Sequence, residues 1–541
     1  MGKIELLDCT LRDGAYIVEG NFGAPAIKGI IRKSQEANIN IIECGWLKDK
    51  KYVEGTTYYH VPGDLTQYLG KKSNNCILAV MIDWDRYDLN ALPLYDGESI
   101  DAIRVVFPHD HFAEGIDIGK KILKKGYKVF FQAANTLAYS SEELIELARL
   151  INETDSEALS IVDTFGAMYD EDLERIAKTL DKYLNKDIKL GFHSHNNQQL
   201  SFALSISFIN MFEKTERDVI VDASLCGMGR GAGNTTTELM VNYLNKKKGR
   251  NYNLNIILDE IDVYMSYFLK KFEWGYSTPY FIAGELCSHV NNIAYLLKNH
   301  RTNSKELHNI IESLPPDMRL KYDYDLLEAK YIENQNYSID DTEAIEQLEK
   351  LFEEKEVLLI APGKSIIQQE NEEIINHYIN EKKPIVVGVN ALQPAYEMDY
   401  LFIMSDARCE YAMEKYPIEF ERVKKIALSN VTNDIGRKDY VIEYSRIVKR
   451  GWDFFDNAVI TCLRLMDRLG VRKISIAGFD EFKQTYNESY SDEFLPSINP
   501  DNFEKINFEI IEMYNDFLQK RETNMEVEFL TKSIFEGKRK V

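Results

Sequence analysis

The chain has 541 residues, of which 45% are hydrophobic and 28% charged, so it can bury a large core divided over two or three domains of ~150 residues each. Its formal net charge of -22 argues against nucleic acid or an anionic membrane surface as a partner, because the average field would repel both. We therefore expect small-molecule partners, with no nucleic acid and no membrane.

The same simple features indicate a compartment. No apolar run reaches the ~20 residues of a membrane-spanning helix, and the first residues lack the pattern of a secretory signal. The seven cysteines are scattered without a CxxC pair, which fits reduced thiols better than a disulfide framework or a zinc ribbon. We predict a cytoplasmic protein.

The first half of the chain repeats one unit, a short apolar run followed by a polar loop and a helical segment. Eight such runs occur, at 4–9, 39–45, 76–83, 100–107, 127–133, 159–164, 188–195 and 218–225. Strands that alternate with helices over ~250 residues are typical of a (β/α)8 barrel, whose chemistry gathers at the carboxyl ends of the strands. We predict a TIM barrel over residues 1–270, with a doubly wound open sheet as the competing arrangement.

Ionisable side chains collect where these predicted strands end. In chain order they are Asp8, Arg12, Asp13, Glu43, His109, His111, Asp163, His193, His195 and Asp222. Several have a structural explanation when taken alone, since Asp163 can cap a helix and Glu43 can pair with an arginine inside the barrel. His193 and His195 stand two apart on a strand and therefore project to one face, a spacing that suits metal ligands.

Five segments, in the same order along the chain, carry a resemblance to a known superfamily. They are LDCTLRDGAY (7–16), IIECG (41–45), VDTFGAM (162–168), GFHSHNN (191–197) and VDASLCGMGRGAGN (221–234). Together they resemble the metal-dependent aldolase and lyase barrels, which include 4-hydroxy-2-oxovalerate aldolase, hydroxymethylglutaryl-CoA lyase and isopropylmalate synthase. The resemblance is greatest to the first of these, covers about residues 1–270 and implies a carbon–carbon lyase of the aldolase type.

The resemblance also implies roles for particular residues. Asp13, His193 and His195 correspond to ligands of a divalent metal, Mn²⁺ or Mg²⁺ in the first place and Zn²⁺ as the alternative. Arg12 corresponds to the group that stabilises an enolate oxygen, and Asn234 to a further metal-facing position. Two imidazoles and a carboxylate leave coordination positions that a 2-oxo acid can fill, although the same set also serves non-haem iron oxygenases. The LRDG context favours carbon–carbon chemistry.

The group that transfers a proton is less clearly indicated, because Tyr16 stands where the oxovalerate aldolases have a histidine base. The candidates are Tyr16, His109, His111 or a metal-bound water, and Glu43 is a further candidate catalytic residue. An unperturbed tyrosine titrates near ~10, so we rank Tyr16 as a substrate contact above a base. The glycines of GMGRGAGN (227–234) are better explained by a tight path with positive φ near the metal than by phosphate binding.

Residues 271–354 are predicted to form a helical extension and an acidic linker. In this superfamily, helices beyond the barrel often cover the active site, which makes Trp274, Tyr276, His289 and Asn292 candidates for the substrate pocket. A packed helical cap without chemistry is the favoured interpretation.

Residues 355–541 have the pattern of a second, Rossmann-like α/β domain. The segment EVLLIAPGKSI (356–366) predicts a buried strand, a tight turn and a helix start, and further apolar runs follow at 384–390, 399–405, 424–430 and 472–480. The turn lacks the spacing of a P-loop.

Short motifs in this second half resemble sialyltransferase-like and flagellin-modifying transferase domains, which bind nucleotide-activated acid sugars. These motifs are APGKSI, Asn390, DYLFIMSD and IAGFD followed by TYNESY. The resemblance implies Gly363, Ser365 and Asn390 as nucleotide contacts, with Tyr486 and Tyr490 near the phosphate. A domain that serves oligomerisation or partner binding is an equal alternative.

Together these patterns predict an aldolase-type lyase that acts on a pyruvate-like 2-oxo acid and an aldehyde, within a homo-oligomer. Its fusion to a nucleotide- or sugar-handling domain suggests the synthesis of an unusual sugar or a surface glycan. Two alternatives stay open. One is a CoA-dependent Claisen-type lyase or synthase, and the other is a nucleotide-sugar-dependent transferase in the C-terminal half with the barrel as scaffold.

Overall fold

The structure is a computed structural model that describes residues 2–73, 75–300, 302–334, 338–432, 438–485, 488–497 and 502–536. The chain divides into two compact units. The first comprises the chain up to Lys298 together with Thr302–Leu327, and the second comprises the remaining described residues. The segment 271–354, predicted as an extension and linker, is thus divided between the two units.

Nine strands form the sheet of the first unit, and all of them pair in parallel. They are β1 (Ile4–Asp8), β2 (Ile41–Leu47), β3 (Tyr58–Tyr59), β4 (Ile77–Asp83), β5 (Ala102–Phe107), β6 (Lys128–Ala133), β7 (Ala158–Asp163), β8 (Lys189–Ser194) and β9 (Val219–Ala223). The sheet runs β1-β9-β8-β7-β6-β5-β4-β2-β3 and closes because β1 also pairs with β2, where Leu7 lies opposite Ile41. The predicted (β/α)8 barrel is confirmed, and this closure excludes the open sheet.

The helices of this unit alternate with the strands and then continue past the barrel. They are α1 (Thr10–Asp13), α2 (Ala15–Val18), α3 (Ala24–Glu36), α4 (Thr66–Leu69), α5 (Phe112–Leu123), α6 (Ser141–Ile151), α7 (Asp170–Tyr183), α8 (Ser201–Phe212), α9 (Thr237–Lys248), α10 (Leu254–Glu260), α11 (Ser266–Lys271), α12 (Thr278–Glu285), α13 (Val290–Asn299), α14 (Ser304–Glu312) and α15 (Pro316–Arg319). The next helix, α16 (Tyr324–Asn334), begins in the first unit and continues past Leu327 into the second. The capping box between Ser140 and Glu143 starts α6.

Inward-facing side chains fill the barrel in layers, because alternate residues of a strand point to the same side. One layer is apolar and contains Ile41, Ala102, Phe130, Ala158 and Ile220. Two residues further along the same strands the buried side chains are polar, namely Glu43, Arg104, Gln132, Ser160 and Asp222. The polar layer therefore lies toward the carboxyl ends of the strands, where the predicted site residues stand.

The second unit is an open parallel sheet, which confirms the predicted Rossmann-like α/β architecture. Its strands are β10 (Glu356–Ile360), β11 (Ile385–Val389), β12 (Tyr400–Ile403), β13 (Lys424–Leu428), β14 (Tyr440–Ile442), β15 (Lys473–Ala477) and β16 (Glu526–Phe529), in the order β14-β13-β12-β11-β10-β15-β16. The short edge strands β14 and β16 are additions to the predicted set.

Helices cover both faces of this second sheet. They are α17 (Thr342–Phe352), α18 (Gln369–Lys382), α19 (Asp406–Lys415), α20 (Pro417–Arg422), α21 (Tyr444–Ile447), α22 (Ala458–Arg468) and α23 (Phe503–Lys520). Val357 and Leu359 of β10 join one apolar core, whereas Leu358 and Ile360 join the other. In the described part of the chain, no helix combines the length and apolarity needed to cross a bilayer.

Candidate active site

Three side chains converge at the carboxyl ends of β1 and β8. Asp13 ends α1, the short helix after β1, whereas His193 lies in β8 and His195 follows directly after it. Oδ2 of Asp13 is 3.3 Å from Nε2 of His195 and 3.9 Å from Nε2 of His193. One ligand atom from each residue lies within 4.8 Å of the others. The structure thus brings three of the predicted metal ligands into a cluster that could hold an ion.

Both imidazole rings are held by acceptors on their Nδ1 side. Nδ1 of His193 is 3.0 Å from Oδ2 of Asp222, and Nδ1 of His195 is 3.1 Å from the backbone oxygen of Asp163. Because both partners accept, each Nδ1 carries the proton and each Nε2 keeps a lone pair directed at the cluster. Metal-ligating histidines are oriented in this way, with a carboxylate or carbonyl behind the ring.

The charge state of the cluster also fits a divalent cation. Burial by itself raises the pKa of the Asp13 carboxyl, but the charge of Arg12 and the neighbouring His195 hold it below its usual range. Burial lowers the pKa of His193, which keeps that ring neutral. Nε2 of His195 is buried and has no hydrogen-bond partner among the described residues. A cation would satisfy this nitrogen, so the residues fit a metal.

Asn234 lies beside the cluster. Its Nδ2 donates to Oδ2 of Asp13 at 2.5 Å, and its buried Oδ1 has no partner in the described part of the chain. The backbone at Gly229 passes so close that a Cβ there would lie 2.2 Å from Nδ2 of Asn234 and 2.8 Å from Oδ2 of Asp13. Asn234 therefore positions Asp13, and its role as a metal-facing residue stays a prediction.

Arg12 is fixed by two carboxylates. Its Nε donates to Oε2 of Glu43 and its Nη1 to Oδ1 of Asp13, both at 2.7 Å. Burial by itself lowers the pKa of this guanidinium, but the two carboxylates raise it well above its ordinary value, so Arg12 is always charged. Its Nη2 makes no hydrogen bond with a described residue, and the side chain lines the cavity next to the cluster. Glu43 therefore pairs with an arginine inside the barrel, the structural role that its sequence position suggested as the alternative to catalysis.

A buried arginine that the sequence analysis did not single out connects these groups. Arg104 donates from Nη1 to Oε2 of Glu43 and from Nη2 to Oε1 of Gln132, both at 2.7 Å, and it also pairs with Asp222. Buried charges are tolerated when opposite charges lie within hydrogen-bonding distance, as Arg104 does with Glu43 and Asp222. The signal in the sequence was one arginine within the apolar run 100–107, since a charge on a buried strand needs a buried partner.

Tyr16 also lines the cavity and places a phenol hydroxyl on its wall. The ring meets Trp46 edge-on with centroids 5.9 Å apart, and the guanidinium carbon of Arg230 lies 4.9 Å from the centroid of the Tyr16 ring. Although Tyr16 is 43% exposed, the protein around its hydroxyl displaces water and raises its pKa to about 12, and the phenol keeps its proton at neutral pH. This favours a hydrogen-bond donor to substrate over a base.

His109 and His111 are not brought into this cavity. Nε2 of His109 lies 3.0 Å from Oε1 of Glu143, and the ring of His109 meets Tyr139 edge-on. The ring of His111 stacks on Trp84. Neither histidine is among the residues that line the cavity, so the geometry does not support a catalytic role for His109.

The helical extension does reach the cavity. His289 and Val290, at the start of α13, line it, whereas Trp274, Tyr276 and Asn292 do not. Tyr276 is 62% exposed and Asn292 is buried. The favoured interpretation of the extension as a packed cap is therefore incomplete, because one of the four candidates stands at the site.

In the second unit, two of the predicted nucleotide contacts, Gly363 and Ser365, follow β10 where the strand order reverses, between β10 and β15. Ser365 donates from its backbone N and from Oγ to the two carboxylate oxygens of Asp480, both at 2.6 Å. Gly363 lies so close to Asp480 that a Cβ on it would be 2.5 Å from Cγ of that residue. The donors predicted to hold a phosphate are thus bonded to a carboxylate of the chain itself.

Asn390 joins the ends of two strands. Its backbone is left-handed, with φ of 55°, and its Oδ1 accepts from the backbone N of Met404 at 3.0 Å. Tyr490 pairs with Gly363 through the backbone, and Tyr486 lies outside the described residues. A nucleotide role for Gly363, Ser365 and Asn390 stays a prediction.

Fold and site together define a class of protein. A closed parallel barrel carries a buried Asp-His-His cluster and a fixed arginine at the carboxyl ends of its strands, where barrel enzymes keep their active sites. The donor set is that of a metal-dependent enzyme.

Comparisons with known proteins narrow this class. Residues 110–263 match the family model described as HMGL-like. The 4-hydroxy-2-oxovalerate aldolase of Geobacillus genomosp. 3 is 26% identical over 253 residues, which cover 45% of this chain and 71% of that protein. The oxaloacetate decarboxylase of Mycobacterium tuberculosis is 24% identical over 245 residues, which cover 45% of this chain and 70% of that protein. The solved HMG-CoA lyase of Bacillus subtilis is 15% identical with a TM-score of 0.39, over 50% of this chain and 94% of that one.

These matches identify residues 110–263 as an HMGL-like domain and support the aldolase/HMGL-like superfamily for the N-terminal half. The predicted enzyme class, a carbon–carbon lyase of this superfamily, is confirmed, and the function supported at this level is that of a metal-dependent aldolase or lyase. The resemblance of the C-terminal half to transferase domains stays a prediction.

Proposed function

We propose that the barrel catalyses an aldol reaction that makes or breaks the carbon–carbon bond next to the keto group of a pyruvate-like 2-oxo acid, with an aldehyde as the partner. The observation that carries this proposal is the position of Arg12 beside the cluster of Asp13, His193 and His195, in one cavity. The relatives named 4-hydroxy-2-oxovalerate aldolase support the same type of reaction.

When bound, a divalent metal would supply Lewis acidity to the carboxylate and keto oxygens of the 2-oxo acid. Arg12 would stabilise the negative charge that develops on the keto oxygen when the methyl carbon loses a proton or the carbon–carbon bond breaks. Since Glu43 and Asp13 already fix its Nε and Nη1, Arg12 needs no reorganisation during the reaction. Its Nη2 is the group left to contact substrate.

Tyr16 would serve the aldehyde side of the reaction. Its phenol keeps its proton at neutral pH because the pKa is raised to about 12, so it can donate a hydrogen bond to the aldehyde oxygen. Trp46 and Phe165 add aromatic surface to the same cavity.

The donor set also bears on the metal. We expect Mn²⁺ or Mg²⁺, with Zn²⁺ as the alternative, because one carboxylate and two imidazoles leave positions for oxygen ligands of the substrate. The use of the reaction in unusual-sugar or surface-glycan synthesis depends on the resemblance of the C-terminal half and stays a prediction. The expected homo-oligomer stays a prediction as well.

Exchange of the pyruvate methyl protons with solvent tests the proposal directly. The full chain is loaded with Mn²⁺ and incubated with pyruvate in D₂O, and deuterium incorporation is followed by mass spectrometry. We expect metal-dependent exchange that oxalate inhibits, because oxalate has the two adjacent oxygens of the 2-oxo acid. Asp13→Ala should abolish both exchange and bound metal.

His377→Ala is the matched control, because this histidine is 72% exposed on α18 of the second unit. It should keep the wild-type metal content and exchange rate. A stoichiometric metal in Asp13→Ala, or wild-type protein that holds the metal without exchanging pyruvate, would contradict the proposal.

A further inference from the structure

Arg230 differs from the other arginines of the site in its partners. Its Nη2 donates to Nε2 of His289 at 3.2 Å and to Oδ1 of Asn291 at 2.5 Å, and the guanidinium lies over the ring of Tyr16. All three partners are neutral groups. Among the described residues no carboxylate pairs with Arg230, whereas Arg12 is paired with two.

The backbone fixes Arg230 at the cavity. Its neighbour Gly229 passes against Asp13, where a Cβ would lie 2.8 Å from Oδ2. Its other neighbour, Gly231, has φ of 66°, and a Cβ there would lie 3.1 Å from Oδ1 of Asn197. Both neighbours are therefore held close to the residues around the cluster, and the side chain of Arg230 lines the same cavity.

His289 supports the guanidinium without sharing its charge. Burial, and then the charge of Arg230, lower the pKa of His289 to about 3, so the ring is neutral at neutral pH. A neutral imidazole accepts at only one nitrogen, so with Nε2 accepting from Arg230 the ring proton lies on Nδ1. The anchors of Arg230 thus orient it on the Nη2 side and leave its positive charge uncompensated toward the cavity.

The two guanidinium groups of the cavity lie against different aromatic rings, which themselves meet edge-on. Arg12 lies 5.9 Å from the centroid of Trp46, the Trp46 and Tyr16 rings are 5.9 Å apart, and Arg230 lies 4.9 Å from the Tyr16 ring. When a three-carbon 2-oxo acid is held at Arg12 and the metal cluster, Arg230 is available to bind a different group. That group belongs to the second substrate, which must approach the methyl carbon of the first.

We propose that Arg230 binds an anionic group, a carboxylate or a phosphate, on the aldehyde partner, so that the enzyme prefers acidic aldehydes. This inference rests on the proposed function. In the addition direction the 2-oxo acid loses a methyl proton, its carbon bonds to the aldehyde carbon, and the aldehyde oxygen gains a proton, with no change in oxidation state overall. Arg230 takes no part in these steps and acts as a specificity residue.

Matched aldehydes test the inference. Manganese-loaded full chain is supplied with pyruvate and either succinic semialdehyde or butanal, and separately with glyceraldehyde 3-phosphate or glyceraldehyde. We expect kcat/KM to be about 10–100 times higher for the acidic member of one pair, as hydrogen bonds to a charged group imply. The pair that shows the preference distinguishes a carboxylate from a phosphate.

Variants assign the preference to Arg230. Arg230→Gln should lower the acidic-to-neutral ratio of kcat/KM by about 10–100-fold. Arg230→Lys should keep part of the preference, because it retains the positive charge but loses the planar guanidinium. Arg32→Gln is the control, since this arginine is 57% exposed on α3, and it should keep the wild-type ratio. An unchanged ratio in Arg230→Gln would overturn the inference, as would equal kcat/KM for both members of both pairs in the wild type.

Binding separates this inference from the proposed reaction. The oxalate-saturated, manganese-loaded chain is titrated with the same four aldehydes by calorimetry, which needs no turnover. Tighter binding of an acidic aldehyde that Arg230→Gln weakens about 10–100-fold, without pyruvate exchange, would support the anion site and refute the reaction. Equal binding of acidic and neutral aldehydes would overturn the anion site even if pyruvate exchange occurs.

Discussion

Nδ1 of His193 lies 3.0 Å from Oδ2 of Asp222, which in turn pairs with Arg104 inside the barrel. The carboxylate sets the tautomer of the imidazole and aims Nε2 at Asp13. We expect Asp222→Asn to weaken metal binding by about 10–100-fold, the usual effect of changing the partner behind a histidine ligand. A competition titration against a chelator measures this, and thermal unfolding of the metal-free chain separates it from a general loss of stability. Unchanged metal affinity would show that His193 is not held through Asp222.

Arg12 has two of its nitrogens bound to carboxylates, so its function depends on the planar guanidinium. We expect Arg12→Lys to lower the turnover number for pyruvate exchange by about 10²–10³-fold, because a mobile ammonium cannot replace a fixed fork. Metal content should remain stoichiometric, since Asp13, His193 and His195 are unchanged. Near-normal exchange in Arg12→Lys would mean that positive charge alone is sufficient.

Gly229 has no room for a side chain. In Gly229→Ala the new Cβ would stand 2.2 Å from Nδ2 of Asn234 and 2.8 Å from Oδ2 of Asp13, so one or both must move. We expect metal affinity to fall at least about tenfold, as when a ligand loses its support. Gly63→Ala is the matched control, because nothing lies within 4 Å of a Cβ there. Equal metal affinity in the two variants would contradict the close approach at Gly229.

His289 should make the first unit sensitive to acid. Its pKa is about 3 in the fold and ~6.5 in the unfolded chain, so below pH 6.5 the unfolded state binds a proton that the folded state does not. Its contribution to stability is thus full above about pH 6.5 and is lost as the pH falls toward 3. Between pH 7 and pH 5 we expect the wild type to lose about 2 kcal/mol more than His289→Gln, measured by urea unfolding. Parallel losses in the two proteins would contradict the neutral state of His289.

Much of the barrel follows from patterns along the chain. The eight apolar runs all form barrel strands, since β-branched and apolar runs of this length with helical segments between them have few other compact solutions. The common face of His193 and His195 is equally visible, because two residues of spacing on a strand fix it whatever the rest of the fold does. Asp13 joined them only through the resemblance of its LRDG segment to the lyase barrels. In the second unit the short edge strands β14 and β16 were not predicted, because a segment of three or four residues is too short to show a recognisable apolar run.

Other features depend on contacts between residues far apart in sequence. Arg104 stands within an apolar run, and only the closed ring shows that Glu43 and Asp222 neutralise it. His109 follows a strand just as His193 lies in one, yet its ring meets Tyr139 instead of the cavity. A position at the end of a strand predicts that a side chain lies near the carboxyl end of the barrel. It does not predict whether the following loop directs that side chain into the cavity or away from it.

Local patterns in the sequence indicated the barrel and the shared face of His193 and His195, because strand alternation acts over a few residues. The resemblance of five ordered segments indicated the enzyme class and added Asp13 to the predicted metal ligands. Only the tertiary structure shows the partners of these residues. It shows that Asp222 and the backbone oxygen of Asp163 orient the two imidazole rings, and that Ser365 donates to Asp480. It also shows that no carboxylate of the described residues pairs with Arg230 at the cavity. Hydrogen bonds and ion pairs form between elements separated by tens to hundreds of residues. No local pattern specifies them, since they depend on which distant strands and helices the fold brings together.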